Sequence, residues 1–405
     1  MDLATFRADF GRWMTNHAAE LERFQRLPTD LDGQFAVLGD LQRVLFDAGW
    51  LRWGWPEALG GLGGSSLLRG VLSEELAAAG CPPPFSFGMM EVLAPAVVRF
   101  APEIASWALP ALLRGGEAWC QGFSEPEAGS DLASLRLRAV DEGSAFRVNG
   151  QKVWTSWAQY ATRCILLART GTAEEAREPH LPPPRQDHRG ITALFVDMDS
   201  PGVTVRPLRA MSGDAEFAEM FFDDVIVPKE RVIGSVGGGW AVTMYVLSCE
   251  RGAVAWQRQA WMHRRLADLL AAAGGGPGSE RAVPEKVPGK VAGKVAEKAA
   301  AWAGEAFANL YALRLASRRT FRRLDSGEIP GPDASIDKIL MASAEQFLFD
   351  GALEIVPEAL LTGDDADART WRTDYFYSRA ATIYGGTSEI QRNIVAEHLL
   401  GLPRG

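Results

Sequence analysis

Two short stretches carry side chains whose types and spacing suit the binding of a ring with polar edges or of a phosphate. Gln121 to Asp131 reads Gln-Gly-Phe-Ser-Glu-Pro-Glu-Ala-Gly-Ser-Asp and joins the hydroxyls of Ser124 and Ser130 to two glycines and a proline. These are the ingredients of a rigid turn whose backbone N–H groups point outward. Taken alone, the stretch reads more simply as a strand running out into a loop. Asn149 to Ala161 reads Asn-Gly-Gln-Lys-Val-Trp-Thr-Ser-Trp-Ala-Gln-Tyr-Ala. Its Asn-Gly pair predicts a hairpin turn leading into a strand that carries Trp154, Thr155 and Ser156. A third candidate lies on the helix expected over Trp240 to Trp261, where Glu250 has Val246, Leu247, Ala253 and Val254 as its i±3 and i±4 neighbours. A carboxylate in such an apolar patch is desolvated and becomes a good proton acceptor once ionised beside a substrate. Periodicity leaves a second reading open, and on its own favours it: Glu250 paired with Arg251 or with a neighbouring helix.

The elements that must position these residues follow from hydrophobic period. Leu3, Phe6, Phe10, Trp13, Leu21 and Phe24 recur at threes and fours, as do Leu38, Leu41, Leu45 and Ala48 before Gly49, and Leu68, Val71, Leu72, Leu76 and Ala79 before Gly80. Further helical runs cover Met90 to Phe100 and Ile104 to Leu113, and Gly115-Gly116 closes a helical domain over 1–116. The period then drops to two, in Leu135 to Ala139, Cys164 to Ala168, Ile191 to Val196 and Met220 to Val227, which predicts an antiparallel β domain over 117–228. Thr170 to Arg189, rich in Glu, Arg and Pro, reads as a solvated loop. Helical periodicity returns over 229–405, with helices at Trp302 to Leu324, Ser335 to Ile355 and Ser388 to Leu400. Within it, Ala271 to Ala299 is built from Ala, Gly, Pro, Glu and Lys. Its lysines recur every fourth residue, but Pro288, Gly289 and Gly293 predict a mobile connection rather than a helix. Arg318, Arg319, Arg322 and Arg323 read as a solvated face.

Composition narrows the function classes. A chain of 405 residues with net charge −9 and no basic stripe carries no electrostatic footprint for nucleic acid. Cys81, Cys120, Cys164 and Cys249 lack any CxxC spacing, which predicts reduced thiols with no zinc site and no disulfide framework. No uncharged run reaches about 18 residues, so no membrane span is expected. A cytoplasmic location fits these features. His17, His180, His188, His263 and His398 form no ligand pattern, and no metal site is expected.

In order and spacing, the motifs resemble those of the acyl-CoA dehydrogenase family. The resemblance rests on Ser124-Glu-Pro-Glu-Ala-Gly-Ser130-Asp, on Asn149-Gly-Gln-Lys-Val-Trp154 followed by Ser156, and on Trp55-Pro56-Glu57 with Gly60-Gly61. It continues through Phe221-Phe222-Asp223-Asp224-Val225, Gly239-Trp240 to Glu250-Arg251, and Ile383-Tyr384-Gly385-Gly386-Thr387-Ser-Glu389-Ile-Gln391-Arg392. It implies an α+β fold with an N-terminal helical domain, a middle antiparallel β-barrel domain and a C-terminal four-helix bundle. It also implies FAD as cofactor, an acyl-CoA or carrier-bound acyl thioester as substrate, and an electron-transfer flavoprotein as acceptor, in a homodimer or tetramer. In most members the catalytic glutamate directly precedes the Gly-Thr of the last motif, but here that place is Gly385. In a minority the base lies on the first helix of the C-terminal domain just before an arginine, and Glu250-Arg251 matches that place.

By the same resemblance the Gly385 N–H polarises the thioester carbonyl. Phe123, Ser124, Trp154, Thr155 and Ser156 meet the flavin, and Ser130 contacts flavin and substrate. Arg251 and Tyr384 lie on the substrate side. Thr387 and Glu389 open the last helix toward the cofactor, Thr387 serving equally as a simple N-cap. Two departures stand out: Leu348 to Leu361 replaces a glycine-rich motif that contributes to the adenosine site, and Phe376-Tyr377 replaces an Arg-Asp pair. A flavin oxidase or monooxygenase on the same scaffold, and a non-catalytic subunit of a heteromeric dehydrogenase, remain the alternatives.

Overall fold

The computed structural model describes residues 1–84, 87–171, 188–274 and 289–403. These form two compact units, one made of Met1–Phe6, Leu27–Arg69 and Pro83–Glu250, the other of Arg7–Arg26, Gly70–Pro82 and Arg251–Gly405. Most of the loop expected over Thr170 to Arg189, with His180, and the middle of Ala271 to Ala299 lie outside the described residues.

Helices come first: α1 (Leu3–Asn16), α2 (Ala18–Leu21), α3 (Leu31–Asp47), α4 (Leu67–Ala78), α5 (Phe87–Phe100) and α6 (Pro102–Leu113). Asp30 caps α3 by accepting the Gly33 N–H at 2.7 Å, and α6 begins on a proline, whose missing N–H costs nothing in a first turn. The apolar faces read from periodicity are buried, among them Leu38, Leu41, Leu45, Leu68, Leu72 and Leu76.

The strands are β1 (Trp119–Gly122), β2 (Arg138–Asp141), β3 (Ala145–Ser156), β4 (Arg163–Gly171), β5 (Ile191–Asp197), β6 (Val203–Leu208), β7 (Phe217–Pro228) and β8 (Val232–Ile233). They form one sheet in the order β6-β7-β3-β2-β4-β5-β8, with β1 also on β4, so that among the described residues the ladder is an open path ending at β6 and β8. The sheet is mixed rather than wholly antiparallel, because both β1 and β2 run parallel to β4. Alternation of period two is the same in either orientation, so the pattern carried no sign of this. β1 pairs with Arg163 to Leu166 and β2 with Arg169 to Gly171, one after the other along β4. The segment Phe123 to Leu137 therefore arches between two strands that share a partner. Leu135 to Leu137, expected as strand, belongs to that arch. Phe146, Val148, Leu166, Leu194, Met220 and Val225 form the core beneath the sheet.

Asn149-Gly150 does not make a hairpin turn; it sits inside β3. There the register slips so that Asp223 and Asp224 of β7 face Asn149 alone. Asn149 Nδ2 donates to Asp224 Oδ1 at 3.0 Å, and the Asp224 N–H donates to Asn149 Oδ1 at 2.9 Å. Gly150, at φ 144°, passes so close to Leu137 that a Cβ would stand 3.0 Å from its Cα. The pair serves a β-bulge, which needs the same two residue types as a tight turn.

The remaining helices are α7 (Gly239–Gly274), α8 (Gly289–Asp325), α9 (Ala334–Ile355), α10 (Pro357–Leu361), α11 (Ala366–Ala380) and α12 (Ser388–His398). The division between the two units falls within α7, after Glu250. In the second unit Met262, Leu266, Leu310, Leu313, Met341, Leu348, Phe349 and Trp371 build one core from α7, α8, α9 and α11. Two expectations change here. The helix of α8 starts at Gly289, so Gly289 and Gly293 lie within it; the alanines that follow carry the propensity the glycines lack. The four clustered arginines are engaged in part: Arg323 with Glu328 and Asp333, Arg319 with Asp333, and Arg318 over the Trp256 ring.

Candidate active site

In the first unit the two motif stretches are fastened to each other by a buried ion pair. Lys152 of β3 is fully buried and donates to Glu125 Oε1 at 2.8 Å and to the Phe123 carbonyl at 3.0 Å. Glu125, 8% exposed, also accepts the backbone N–H groups of Arg136 and Leu137, at 2.6 and 2.9 Å. One carboxylate thus closes the arch between β1 and β2 and ties it to β3. The Val153 N–H adds a bond to the Ser124 carbonyl at 3.0 Å. Burial pushes the Lys152 ammonium below its usual range, against the opposing pull of Glu125. Sequence reading quoted both residues inside the motifs without giving them this role. The available signal was a lysine at an inward position of a strand whose neighbours are apolar.

A second bulge in β3 aims the aromatic residue. Between Lys152 and Thr155 the register against β7 slips, and Trp154 takes φ 60°. Bulges re-aim side chains in this way, and a bulky residue in the left-handed region costs of order 1–3 kcal/mol. The result is a Trp154 side chain 64% exposed, set edge-on to Phe217 at 6.2 Å. Next to it Thr155 is buried, and its hydroxyl has no hydrogen-bond partner among the described residues. An outward-facing indole beside an unpaired hydroxyl suits a planar heteroaromatic ligand with polar edges. The structure brings Phe123, Ser124, Trp154, Thr155 and Ser156 together here. Ser130 is exposed on the arch.

Glu250 is half-buried on α7, with Val246 and Ala253 buried and Leu247 and Val254 half-buried around it. The adjacent Cys249 faces a buried ion pair in which Arg69 Nε stands 2.8 Å from both carboxylate oxygens of Glu91. Burial and the Glu91 charge push the Cys249 thiol up to about 12, so it stays protonated and unreactive. All four cysteines are free and buried.

In the second unit the turn after α11 carries Tyr384, Gly385, Gly386 and Thr387. Both glycines take positive φ, 63° and 91°. Thr387 caps α12, its hydroxyl accepting the Ile390 N–H at 3.2 Å, and Glu389 is exposed in the first turn. Lys338 of α9 donates to the Ala381 carbonyl and places its ammonium 3.9 Å from the Tyr384 ring centre. The side-chain amide of Gln391, fully buried, donates to the carbonyls of Gly385 at 2.9 Å and Gly386 at 3.3 Å. The Gly385 N–H, by contrast, has no acceptor among the described residues. The turn therefore presents an unengaged backbone donor while its carbonyls are held. Arg251 is half-buried on α7.

Family models for the acyl-CoA dehydrogenase N-terminal, middle and C-terminal domains match residues 5–116, 120–225 and 237–400. Acyl-CoA dehydrogenase IpdE1 of Mycobacterium tuberculosis (strain ATCC 25618 / H37Rv) is 35% identical over the whole of this chain and 98% of its own length. Among solved structures, the Tcur3481-Tcur3483 steroid ACAD aligns with a TM-score of 0.79 at 26% identity over the whole of both chains. The ChsE4-ChsE5 complex from Mycobacterium tuberculosis aligns at 0.74 and 26%, covering 100% of this chain and 97% of that one.

Proposed function

The chain belongs to the acyl-CoA dehydrogenase family, and from that premise we propose that it oxidises the α,β-bond of an acyl thioester to the trans-2-enoyl product. The observation that carries this reading is position 385, where a residue without a side chain offers an unengaged N–H. The donor to the thioester carbonyl is thereby separated from the base, and Glu250, just before Arg251, takes the base's role. The Gly385 N–H accepts no proton; it donates to the carbonyl oxygen as negative charge builds there, which acidifies the α-carbon. Glu250 removes the α-proton onto its carboxylate. Bound FAD would supply the acceptor for the hydride that leaves the β-carbon. Trp154, Thr155, Ser156, Phe123 and Ser124 hold its ring system, with the unpaired Thr155 hydroxyl and the outward indole as the features that fit it. Thr387 and Glu389 take its anionic or ribose part at the start of α12. Ser130, Arg251 and Tyr384 contact the substrate. Electrons pass on to an electron-transfer flavoprotein in the cytoplasm.

The substrate and assembly are part of the same proposal. We take fused-ring acyl thioesters as the first candidates, because the similar Tcur3481-Tcur3483 protein is named a steroid ACAD. The outward face of α8 exposes Phe307, Tyr311 and Leu315 in a line, with Phe307 stacked on Tyr311 at 6.0 Å. Such an apolar face supports an oligomer. Two of the similar structures are named for pairs of proteins, which favours a second reading of the assembly, a heteromer with another dehydrogenase-like chain.

An anaerobic visible spectrum of the purified protein, before and after a panel of acyl-CoAs that includes fused-ring acids, tests the proposal. A yellow protein bleached by one thioester supports it. A colourless protein supports the non-catalytic subunit, and a yellow protein inert to thioesters but forming peroxide in air supports an oxidase.

A further inference from the structure

The second unit holds a device for aiming the Gly385 N–H, and the inference drawn from it rests on the dehydrogenase reading above. Two consecutive glycines at positive φ have more conformational freedom than any other pair, so a donor built on them needs external restraint. The restraint is visible on both sides of the peptide that carries the Gly385 N–H. On one side, the Tyr384 N–H donates to the Ala380 carbonyl at 3.0 Å and the Ile383 N–H to the same carbonyl at 2.8 Å. On the other, the NH₂ group of the Gln391 amide donates to the carbonyls of Gly385 and Gly386. Two carbonyl acceptors require the NH₂ end of the amide to face the turn, which fixes its orientation. The fit is close: a Cβ on Gly386 would stand 2.4 Å from Gln391 Nε2. Gln391 also lies in the first turn of α12, its own N–H donating to the Thr387 carbonyl at 2.9 Å, so the side chain reaches back from a rigid element.

We infer that Gln391 is a positioning residue, one that sets the direction of the Gly385 N–H by holding the two carbonyls that follow it. It touches neither the reacting carbons nor the proton that moves. Its loss leaves the base and the thioester's anchoring in place and blunts polarisation of the carbonyl. A misaligned preorganised donor costs about 10²-fold in rate.

The test uses the flavin-loaded enzyme and its variants Gln391→Glu, which removes both donors at constant size, and Gln391→Met, which removes them without adding charge. The probe is the 3-thia analogue of whichever acyl-CoA bleaches the wild type. It loses its α-proton on binding but has no β-hydride to give, and its bound enolate absorbs at long wavelength. The pH midpoint of that band reports α-carbon acidity. In both variants the midpoint is expected to rise by about one unit or more and kcat to fall about 10²-fold, with KM changed less than about threefold. If either variant fails to hold flavin, the other carries the test. A midpoint that stays put in a flavin-loaded variant overturns the inference even if kcat or thermal stability drops, since that marks a merely structural role. A wild type that no thioester bleaches overturns the dehydrogenase reading itself, and this inference with it.

Discussion

Two buried side chains pin backbone, one in each unit, and they do so by opposite means. Lys152 in the β domain is a charge, satisfied by the Glu125 carboxylate and the Phe123 carbonyl. Gln391 in the helical bundle is neutral; its NH₂ group donates to two peptide carbonyls, while its Oε1 has no partner among the described residues. A buried charge is tolerated only while its partner is present, so the first fastening makes the arch and β3 a single all-or-none element. A neutral amide leaves no stranded charge when removed, so the second governs aim more than folding. Under the proposed function, the fastening in the first unit would serve lasting cofactor binding and the one in the second the direction of a donor.

The sharpest way to break the comparison is Lys152→Met. It strands Glu125, leaving it only the two backbone donors, and removing one partner of a buried pair costs about 3–5 kcal/mol. Chemical denaturation should show a loss of that size, and the purified variant should have lost its yellow colour. Stability within about 1 kcal/mol of wild type would show that the pair does not fasten the arch. Gly386→Ala is next. It forces a Cβ onto φ 91° and against the Gln391 amide, a strain of about 1–3 kcal/mol. Turnover should fall while the flavin spectrum stays normal, separating aim from cofactor binding.

A pH-dependent effect comes from Asp337 of α9, a buried group in the same bundle as Gln391. Its Oδ2 has no partner among the described residues. Burial pushes its carboxyl up to about 7, against the opposing pulls of Thr320 and Arg319 and with a small push from Asp333. The folded state then holds a proton that the unfolded chain has released. Stability therefore declines as pH rises from about 4 to about 7, by at most ~1.4 kcal/mol per pH unit. Asp337→Asn should flatten that slope, and melting temperatures at pH 5 and pH 8 should lie closer together than in wild type.

Much of the architecture was legible because its signals are local. The helices over Leu31–Asp47 and Leu67–Ala78 announce themselves by apolar spacing and by their stops, and Thr387 caps α12 as its residue type allows. What escaped depends on residues far apart. Asn149-Gly150 is the same dipeptide in a turn or a bulge; Asp224, brought alongside by β7, decides between them. The parallel pairing of β1 and β2 with β4 has no period of its own. α11, from Ala366 to Ala380, was not expected at all, since its few buried residues, Trp371 and Ala368 among them, are interspersed with Arg, Asp and Tyr. Gln391 was quoted within a motif, yet its partners appear only once the diglycine turn is folded beneath it.

The central claim is that Glu250 is the base of an acyl thioester dehydrogenase whose carbonyl donor sits at Gly385. Its most direct test is the rate at which flavin absorbance is lost when a productive thioester is mixed anaerobically with wild type and with Glu250→Gln. The account predicts that the variant keeps its flavin and binds the thioester but bleaches about 10²–10⁴-fold more slowly. Bleaching at the wild-type rate would contradict it and send the search for the base elsewhere in the chain.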